Sequence, residues 1–382
     1  MRIFLIAGEP SGDQLGAAVM AGLRDRVSEI RFDGVGGPAM EREGLRSRFP
    51  MAELSVMGIA EILPRYRQLK RRIAETAQAV LDDPPDALLT IDSPDFCLRV
   101  AKIVKGQRDI PVIHYVAPSV WAWRPKRAAK MARSVDHVLA LLPFEPPYME
   151  AEGMGCDFVG HPIAAEPQAT EADIARFRDG FDLGEAPIVL ALPGSRQGEV
   201  KRLAPAFGPA LAEALRDRPG TRVVVPTVAH LADTVTEAVK VWPGAPVVLD
   251  PRAAGPDFKK AAFAAAEVAL AASGTVSLEL AAAGTPMVIA YRFNWLSQRI
   301  IERMLTVDTV TLVNLVSETR LVPECIGNEC RPGPIAAALR SVMASPDAQS
   351  EALELTMDRL GRGGPAPGIR AADAVLRAIR GA

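Results

Sequence analysis

The sequence predicts an α/β protein made of two doubly wound domains. Short apolar runs of strand length alternate with helical segments along the whole chain, the order that builds parallel sheets covered by helices. Several of these runs end in a glycine-containing turn that opens a helix. The chain has 382 residues, 49% of them hydrophobic, which is enough for a large core and for two domains.

The first half begins with a strand at residues 3–7, followed by the glycine-rich turn Gly8-Glu-Pro-Ser-Gly-Asp-Gln-Leu-Gly16 and a helix from about Leu15 to Arg24. This turn lacks the G-x-G-x-x-G spacing, so a dinucleotide fingerprint is not supported. A short strand leads to a further glycine turn at 32–40, and later strands are predicted at 87–91, 112–116 and 138–142. The stretch 162–172 is rich in proline and is predicted to be a linker.

The second half repeats the alternation of strand and helix. Strands are predicted at residues 187–192, 222–226, 246–249, 268–272 and 286–290, with alanine-rich helices between them and helices near the C-terminus. We therefore expect one domain over residues 1–164 and a second over 165–364. Helices of residues 365–382 are expected to pack back on the first domain.

Composition excludes several classes of protein. The net charge of −2 gives no general affinity for nucleic acid. The four cysteines show no C-x-x-C spacing, which favours reduced thiols in a cytoplasmic protein over disulfides or a zinc site. Residues 1–7 are too short for a signal peptide, and no apolar segment reaches the ~20 residues of a membrane span. Any membrane contact is therefore expected to be peripheral.

The turn Ser273-Gly274-Thr275 is the strongest candidate for a binding site. It lies between a predicted strand and a helix whose N-terminus offers free N–H groups and positive dipole charge to an anion. Gly274 would let a phosphate approach the backbone, and Glu279 could accept hydrogen bonds from the two ribose hydroxyls. The combination suggests a nucleoside diphosphate, although an ordinary βα unit with a capping serine and a solvated glutamate explains the same residues.

Three further side chains suit the chemistry of such a site. Arg196 follows a tight Gly-Ser turn, and its guanidinium fork fits a diphosphate. Asp92 and Asp95 follow the strand at 87–91 and are candidates for acid/base work. Asp92 could equally cap the next helix, whereas Asp95, beyond a proline, is freer to point into a cleft.

Two apolar stretches are candidates for contact with lipid or acyl chains. One carries Val56, Met57, Ile59, Ile62 and Leu63 and is followed by the basic residues Arg65, Arg67, Lys70, Arg71 and Arg72. An apolar segment beside a basic run suits an anionic membrane surface, but a core helix followed by a solvated basic turn has the same pattern. The other stretch carries Trp121 and Trp123 beside five basic residues, where simple packing would also explain the tryptophans.

Eight short motifs, taken together and in order, resemble the lipid-A-disaccharide synthase family of GT-B glycosyltransferases over nearly the whole chain. They are Ala7-Gly-Glu-Pro-Ser-Gly-Asp13, Ile91-Asp-Ser-Pro-Asp-Phe96, His114-Tyr-Val-Ala-Pro-Ser-Val-Trp-Ala-Trp123, Leu142-Pro-Phe-Glu145, Phe158-Val-Gly-His161, Leu192-Pro-Gly-Ser-Arg196, Ala272-Ser-Gly-Thr275 and Leu312-Val-Asn314. The resemblance implies two Rossmann-like domains facing a cleft. It also implies a metal-free, inverting transfer from UDP-2,3-diacylglucosamine to 2,3-diacylglucosamine 1-phosphate, with release of UDP and with no cofactor.

The resemblance also implies roles for individual residues. Asp95 is the first choice for the base and Asp92 the second, with Glu9 nearby in the catalytic group. Substrate binding is expected of Ser11, Gly12, Asp13, Arg196, Ser273, Gly274, Thr275, Glu279, Asn314 and Glu324. The chain departs from the family at Gly327, where a glutamine is usual, which leaves a contact near the nucleotide absent or made by Asn328.

The expected partners are the two diacyl substrates, the inner-membrane surface and, in a homodimer, a second copy of the chain. The enzyme is expected to be cytoplasmic and peripheral on the inner membrane. Two other functions fit the residues. One is another UDP-sugar enzyme on the same scaffold, such as a 2-epimerase or a muramyl-type transferase. The other is a non-catalytic scaffold that binds lipid, which the Arg196, Ser273–Thr275 and Glu279 set argues against.

Overall fold

The computed structural model describes residues 1–54, 59–120, 126–254, 257–292 and 308–381, and of residues 59–65, 254 and 257 it describes the backbone alone. The chain divides into two compact units. The first comprises Met1–Ala165 with Gly363–Ala382, and the second comprises Glu166–Arg362.

A parallel sheet forms the centre of the first unit. Its strands are β1 (Arg2–Ala7), β2 (Arg31–Val35), β3 (Ala87–Ile91), β4 (Val112–Tyr115), β5 (His137–Ala140) and β6 (Gly155–Phe158). They lie in the order β2-β1-β3-β4-β5-β6, and every neighbouring pair is parallel. Successive residues of β1 serve opposite faces, since Ile3 and Leu5 join one apolar cluster and Phe4 and Ile6 join another. The strand is therefore covered on both faces, as its uninterrupted apolar sequence predicts.

The helices of this unit follow the strands in alternation. They are α1 (Pro10–Arg24), α2 (Pro38–Arg42), α3 (Ile59–Asp82), α4 (Pro94–Lys105), α5 (Lys126–Met131) and α6 (Pro146–Glu150). Helix α1 begins five residues earlier than the sequence pattern predicts, because Pro10 occupies its first turn, where a missing N–H costs nothing. Pro94 plays the same part in α4.

A second parallel sheet forms the centre of the other unit. Its strands are β7 (Ile188–Leu192), β8 (Arg222–Pro226), β9 (Val247–Leu249), β10 (Val268–Ala272), β11 (Met287–Tyr291) and β12 (Glu324–Ile326), in the order β12-β11-β10-β7-β8-β9. The described helices are α7 (Glu171–Gly180), α8 (Gln197–Ala214), α9 (Ala232–Val239), α10 (Pro251–Ala254), α11 (Asp257–Ala264), α12 (Val276–Ala282), α13 (Leu312–Ser317), α14 (Pro332–Ala344) and α15 (Ser350–Arg359). The predicted class, two α/β units built on parallel sheets, is confirmed.

The C-terminal helix α16 (Pro367–Arg380) returns to the first unit and packs against α1. Small residues bring the two backbones close together: a Cβ added to Gly22 would lie 2.7 Å from the carbonyl oxygen of Gly368. A Cβ on Gly368 would lie 2.6 Å from the carbonyl oxygen of Ala18. Side chains at these glycines would push the helices apart, so the last residues of the chain are part of the first unit's core.

All four cysteines are free thiols, and burial raises the pKa of Cys325 to about 11. No helix within the described residues is long and apolar enough to cross a membrane.

Candidate active site

Each unit carries a cavity where its strand order reverses. In the first unit the reversal lies between β1 and β3, and in the second it lies between β7 and β10. In open α/β sheets the crevice outside the carboxyl ends of such strands is where ligands bind. The turns that follow β1 and β3 line the first cavity, and those that follow β7 and β10 line the second.

The second-unit cavity has a volume of about 740 Å³, within the range of small-molecule sites. Its lining brings together the residues that the sequence predicts to bind a nucleotide, namely Arg196, Ser273, Gly274, Thr275 and Glu279. The side chain of Arg196 is 71% exposed, and its Nη1 donates to Oε1 of Glu199 at 3.1 Å, which leaves its other N–H groups for an anion in the cavity. The hydroxyl of Thr227, also in the lining, is buried without a hydrogen-bond partner among the described residues.

The turn that carries Arg196 is fixed by Glu199, a residue that the sequence analysis missed. Glu199 lies in the first turn of α8, and its Oε2 accepts hydrogen bonds from the backbone N–H of Ser195 at 3.1 Å and of Arg196 at 3.3 Å. Gly194 has φ +117°, and a Cβ there would lie 2.5 Å from the Cβ of Glu199. A glutamate three residues after the helix cap is a usual capping signal, but the serine or threonine that completes the pattern is missing at position 196.

The turn after β10 leaves its backbone donors to the cavity. Gly274 has φ +152°, and a Cβ built on it would meet nothing within 4 Å. Among the hydrogen bonds of the described residues, none has the N–H of Gly274, Thr275 or Val276 as donor. The helix lacks the side-chain cap of the alternative explanation, because Thr275 makes no cap bond and the Ser277 hydroxyl donates to the Gly274 carbonyl at 2.9 Å. The free N–H groups and the open approach over Gly274 form a site for an anion.

Glu279 lies on α12 at the side of the same cavity, where its carboxylate forms an ion pair with Lys259 of α11. Lys259 also lines the cavity, so the site holds a second cation besides Arg196. No sequence signal marks Lys259, because it stands twenty residues before Glu279 on a different helix. No cluster of three metal-binding side chains occurs in the part of the chain that the structure describes.

The first-unit cavity, of about 300 Å³, is lined by Glu9, Ser93 and Asp95 beside apolar side chains. Asp95 is exposed on the first turn of α4, where the helix dipole stabilises negative charge. Asp92 and Ser93 both have positive φ, at 50° and 43°, and such strain in non-glycine residues tends to gather at functional sites. The cap of α4 is Ser93 rather than Asp92, and its side chain makes no cap bond.

The first glycine turn closes tightly over β3. A Cβ at Gly8 would lie 2.4 Å from the Ser93 hydroxyl, and one at Gly12 would lie 3.4 Å from the Ile91 carbonyl oxygen. Ser11 is exposed at the start of α1, whereas Gly12 is buried. Gly12 therefore serves the approach of two backbones in this structure.

Asp13 is turned away from the cavity and caps α2. It is 4% exposed, and its two oxygens accept hydrogen bonds from the backbone N–H groups of Gly37 (2.8 Å), Ala39 (2.8 Å) and Met40 (3.0 Å). A carboxylate committed to three buried donors has little capacity left for a sugar hydroxyl. In this structure Asp13 supports the neighbouring turn, and its expected role in substrate binding stays a prediction.

Asn314 and Glu324 are engaged in the same way in the second unit. The Asn314 amide exchanges hydrogen bonds with the backbone of Val322, at 2.9 and 3.1 Å. Oε1 of Glu324 accepts from the backbone N–H of Val310 (3.0 Å) and of Thr311 (2.7 Å), and from the Thr311 hydroxyl (2.5 Å). In this structure Glu324 holds the segment before α13, and Asn314 ties α13 to the segment that follows it.

Gly327 adopts φ +60°, a conformation that glycine takes without strain. The departure from the family's glutamine is thus compatible with a tight turn after β12.

His114 is a buried, neutral histidine. Burial lowers its pKa to about 4. Its Nδ1 lies 2.7 Å from the Thr90 hydroxyl, which itself donates to the Ile113 carbonyl at 3.2 Å, so Nδ1 carries the proton and donates to Thr90. This side chain is satisfied within the sheet.

The candidates for lipid contact lie wholly or partly outside the described residues. Val56, Met57, Trp121 and Trp123 lie outside the described residues. Residues 59, 62 and 63 (the predicted Ile59, Ile62 and Leu63) belong to the backbone of α3, and their side chains lie outside the description.

Comparison with known proteins identifies the family. A family model described as lipid-A-disaccharide synthetase matches residues 3–361. The chain belongs to this family. A lipid-A-disaccharide synthase from Ruegeria pomeroyi is 67% identical over 385 residues, covering 100% of this chain and 96% of the relative. One from Rhodospirillum centenum is 48% identical, covering 99% and 95%. The family assignment makes this protein a glycosyltransferase of lipid A biosynthesis.

The fold is shared more widely. A UDP-GlcNAc 2-epimerase from Neisseria meningitidis, solved bound to UDP-GlcNAc, superposes with a TM-score of 0.64 over 100% of both chains at 13% identity. At that identity the likeness concerns the fold alone, which is of the GT-B type.

Proposed function

We propose that the protein joins UDP-2,3-diacylglucosamine to 2,3-diacylglucosamine 1-phosphate and releases UDP, with inversion at the anomeric carbon. The family membership supports the reaction. The observation that carries the proposal is the second-unit cavity, whose lining gathers an arginine, a turn with free N–H groups and a carboxylate. These three groups match the parts of a nucleoside diphosphate.

In this proposal the second unit binds the donor. The N–H groups of the turn at Gly274 and the guanidinium of Arg196 contact the diphosphate, and Glu279 accepts from the ribose hydroxyls. As the bond to the anomeric carbon breaks, negative charge grows on the departing UDP. Fixed donors that face this charge stabilise the transition state more than the ground state. Glu199 keeps Arg196 in place by accepting hydrogen bonds from two backbone N–H groups of its turn.

The first unit binds the acceptor and supplies the base. Asp95 takes the proton of the attacking hydroxyl, with Asp92 as the second candidate and Glu9 as a ligand for sugar hydroxyls. The proposal is supported by the exposure of Asp95 at the cavity and by the helix N-terminus that stabilises its charge.

Mass spectrometry of the products tests the reaction directly. Purified protein with both diacyl substrates should yield the disaccharide 1-phosphate and an equal amount of UDP. A 2-epimerase would instead convert UDP-GlcNAc to its C2 epimer without an acceptor, and a non-catalytic scaffold would bind no UDP in calorimetry. Either of those results, with no disaccharide, would refute the proposal.

We also propose that the enzyme works on the cytoplasmic face of the inner membrane as a peripheral protein. Both diacyl substrates are expected to reside in a bilayer, which supports reversible contact of the protein with lipid. Met57→Ser with Ile62→Ser should lower vesicle binding and activity on embedded substrate and leave the melting temperature nearly unchanged. A large drop in melting temperature would show that these side chains belong to the core.

A homodimer is proposed on the family resemblance alone. Light scattering during size exclusion tests it, and a monomer at working concentrations would contradict it.

A further inference from the structure

The first-unit cavity combines an apolar wall with side chains of both charges, because two cations lie in the lining with Glu9 and Asp95. Leu69 and Ile73 of α3 and Phe96 of α4 give it apolar surface, and the cationic side chains of Lys70 and Arg99 lie in the same lining. Its volume is near the lower end of the usual range for small-molecule sites, about 300–1,000 Å³. The cavity therefore suits a headgroup of about one sugar ring rather than a whole diacyl lipid.

Lys70 and Arg99 have no acidic partner among the described residues, whereas two basic residues next to Lys70 on α3 do. Arg71 forms an ion pair with Glu75 at 3.5 Å, and Arg72 pairs with Glu53 at 2.8 Å. Within the described ranges, neither Lys70 nor Arg99 takes part in an ion pair or a hydrogen bond. Arg71 and Arg72 are thus neutralised by this chain's own carboxylates, whereas Lys70 and Arg99 make no ion pair among the described residues, not even with Glu9 and Asp95 of the same cavity lining.

Arg99 also stands in a useful relation to the proposed base. Asp95 and Arg99 are one turn apart on α4, so they share a face of the helix with about 5–6 Å between their Cβ atoms. That spacing is comparable to the width of one sugar ring. A single hexosamine could thus present a hydroxyl to Asp95 and an anion to Arg99.

We infer that Lys70 and Arg99 bind the anomeric phosphate of the acceptor glycolipid. The inference rests on the proposed function, because it names the group of the proposed acceptor that this site recognises. An arginine and a lysine that meet one phosphate also orient the ring, and orientation delivers the attacking hydroxyl to the base.

Steady-state kinetics in detergent micelles test this role without dependence on membrane attachment. The acceptor is either diacylglucosamine 1-phosphate or the same lipid without its phosphate, at saturating donor. For Arg99→Ala and for Lys70→Ala, KM for the phosphorylated acceptor should rise about ten- to one-hundredfold, with KM for the donor unchanged. Arg99→Lys should recover part of the loss. Lys102→Ala, an exposed charge elsewhere on α4, is the matched control and should behave as wild type.

The acceptor without phosphate shows whether Lys70 and Arg99 recognise the phosphate or another part of the lipid. Wild type should use it poorly, and the two alanine variants should use it no worse than wild type does. If the alanine substitutions raise KM equally for both acceptors, or leave KM unchanged for both, Lys70 and Arg99 do not bind the phosphate.

The phosphate site can be tested even if the protein does not catalyse the proposed reaction. If wild type forms no disaccharide, calorimetry with micelles of each lipid still tests the site. Preference of wild type for the phosphorylated lipid, lost in Arg99→Ala, would support the inference, and equal binding of the two lipids would overturn it.

Discussion

Substitution of Asp13 tests whether its buried carboxylate stabilises the fold or contacts the substrate. The family resemblance implies that it binds substrate, whereas the geometry makes it the acceptor of three backbone N–H groups at the start of α2. The change Asp13→Ala removes all three bonds. The change Asp13→Asn keeps the oxygen that serves Gly37 and Met40 if the amide is oriented that way, but it turns an NH₂ group toward the N–H of Ala39.

The expected magnitudes follow from these contacts. A hydrogen bond to a charged group contributes about 1.5–3 kcal/mol, and donors left unpaired in a buried place add to the loss. Because the three bonds share one carboxylate, they do not add fully, and we expect Asp13→Ala to cost about 3–5 kcal/mol. Asp13→Asn loses one bond of the three and should cost about 1–3 kcal/mol.

Thermal unfolding and hydrogen exchange measure the effect. For a unit of 150–250 residues, 1 kcal/mol shifts the melting temperature by about 2–4 °C, so Asp13→Ala should lower it by the order of 10 °C. Amides of α1 and α2 should lose protection before those of the second unit. The exposed neighbour Gln14 provides the control, Gln14→Ala, which should change little. If Asp13→Asn keeps its melting temperature and exchange pattern but loses acceptor binding, the side chain is a ligand and our assignment fails.

Three further predictions concern chemistry and pH. Asp95→Asn should lower kcat by about two to four orders of magnitude and leave the affinity for UDP unchanged. If Asp95→Asn keeps a near-normal kcat and Asp92→Asn loses it, Asp92 is the base instead. A 2′-deoxyribose donor should bind wild type much more weakly than the normal donor but should cost Glu279→Ala little, and equal penalties would exclude the ribose contact. Burial lowers the pKa of His114 to about 4 from about 6.5, so the unfolded chain takes up the proton first and stability falls as the pH drops through that interval. The loss of folding free energy should approach about 3 kcal/mol by pH 4. His114→Asn should flatten the dependence of stability on pH. An unchanged slope in this variant would show that His114 does not cause the dependence.

The sequence was sufficient for the fold class because the signals of the central strands are local. Such a strand is a short, continuous apolar run, as in residues 3–7. The edge strands β6 and β12 were not predicted, because Gly155-Cys-Asp-Phe158 and Glu324-Cys-Ile326 are short and partly polar. Helix starts were less well predicted. The sequence pattern placed the start of α1 at about Leu15, but the helix begins at Pro10, where the fixed φ of proline suits the first turn.

The candidate site was predictable only in part. Arg196 and Glu279 were found because a glycine turn after a strand is a local signal, and both line one cavity. Lys259 and Lys70 were not found as site residues, because their positions depend on which helices pack beside the sheet. When a residue reaches a site from another helix, the sequence around that residue gives no signal of its role.

The supporting and the reactive carboxylates could not be separated by sequence, because both roles require an acidic residue beside a glycine turn. A turn that binds anions through its backbone must be rigid, since its donors stabilise charge only when they are already in position. Glu199 supplies that rigidity to the turn of Arg196 by occupying two of its N–H groups, whereas the turn at Gly274 keeps its own free. Substitution of a supporting carboxylate and substitution of a ligand carboxylate should therefore have different effects on stability and on donor affinity. Loss of Glu199 should lower stability and donor affinity together, and loss of Glu279 should lower donor affinity alone.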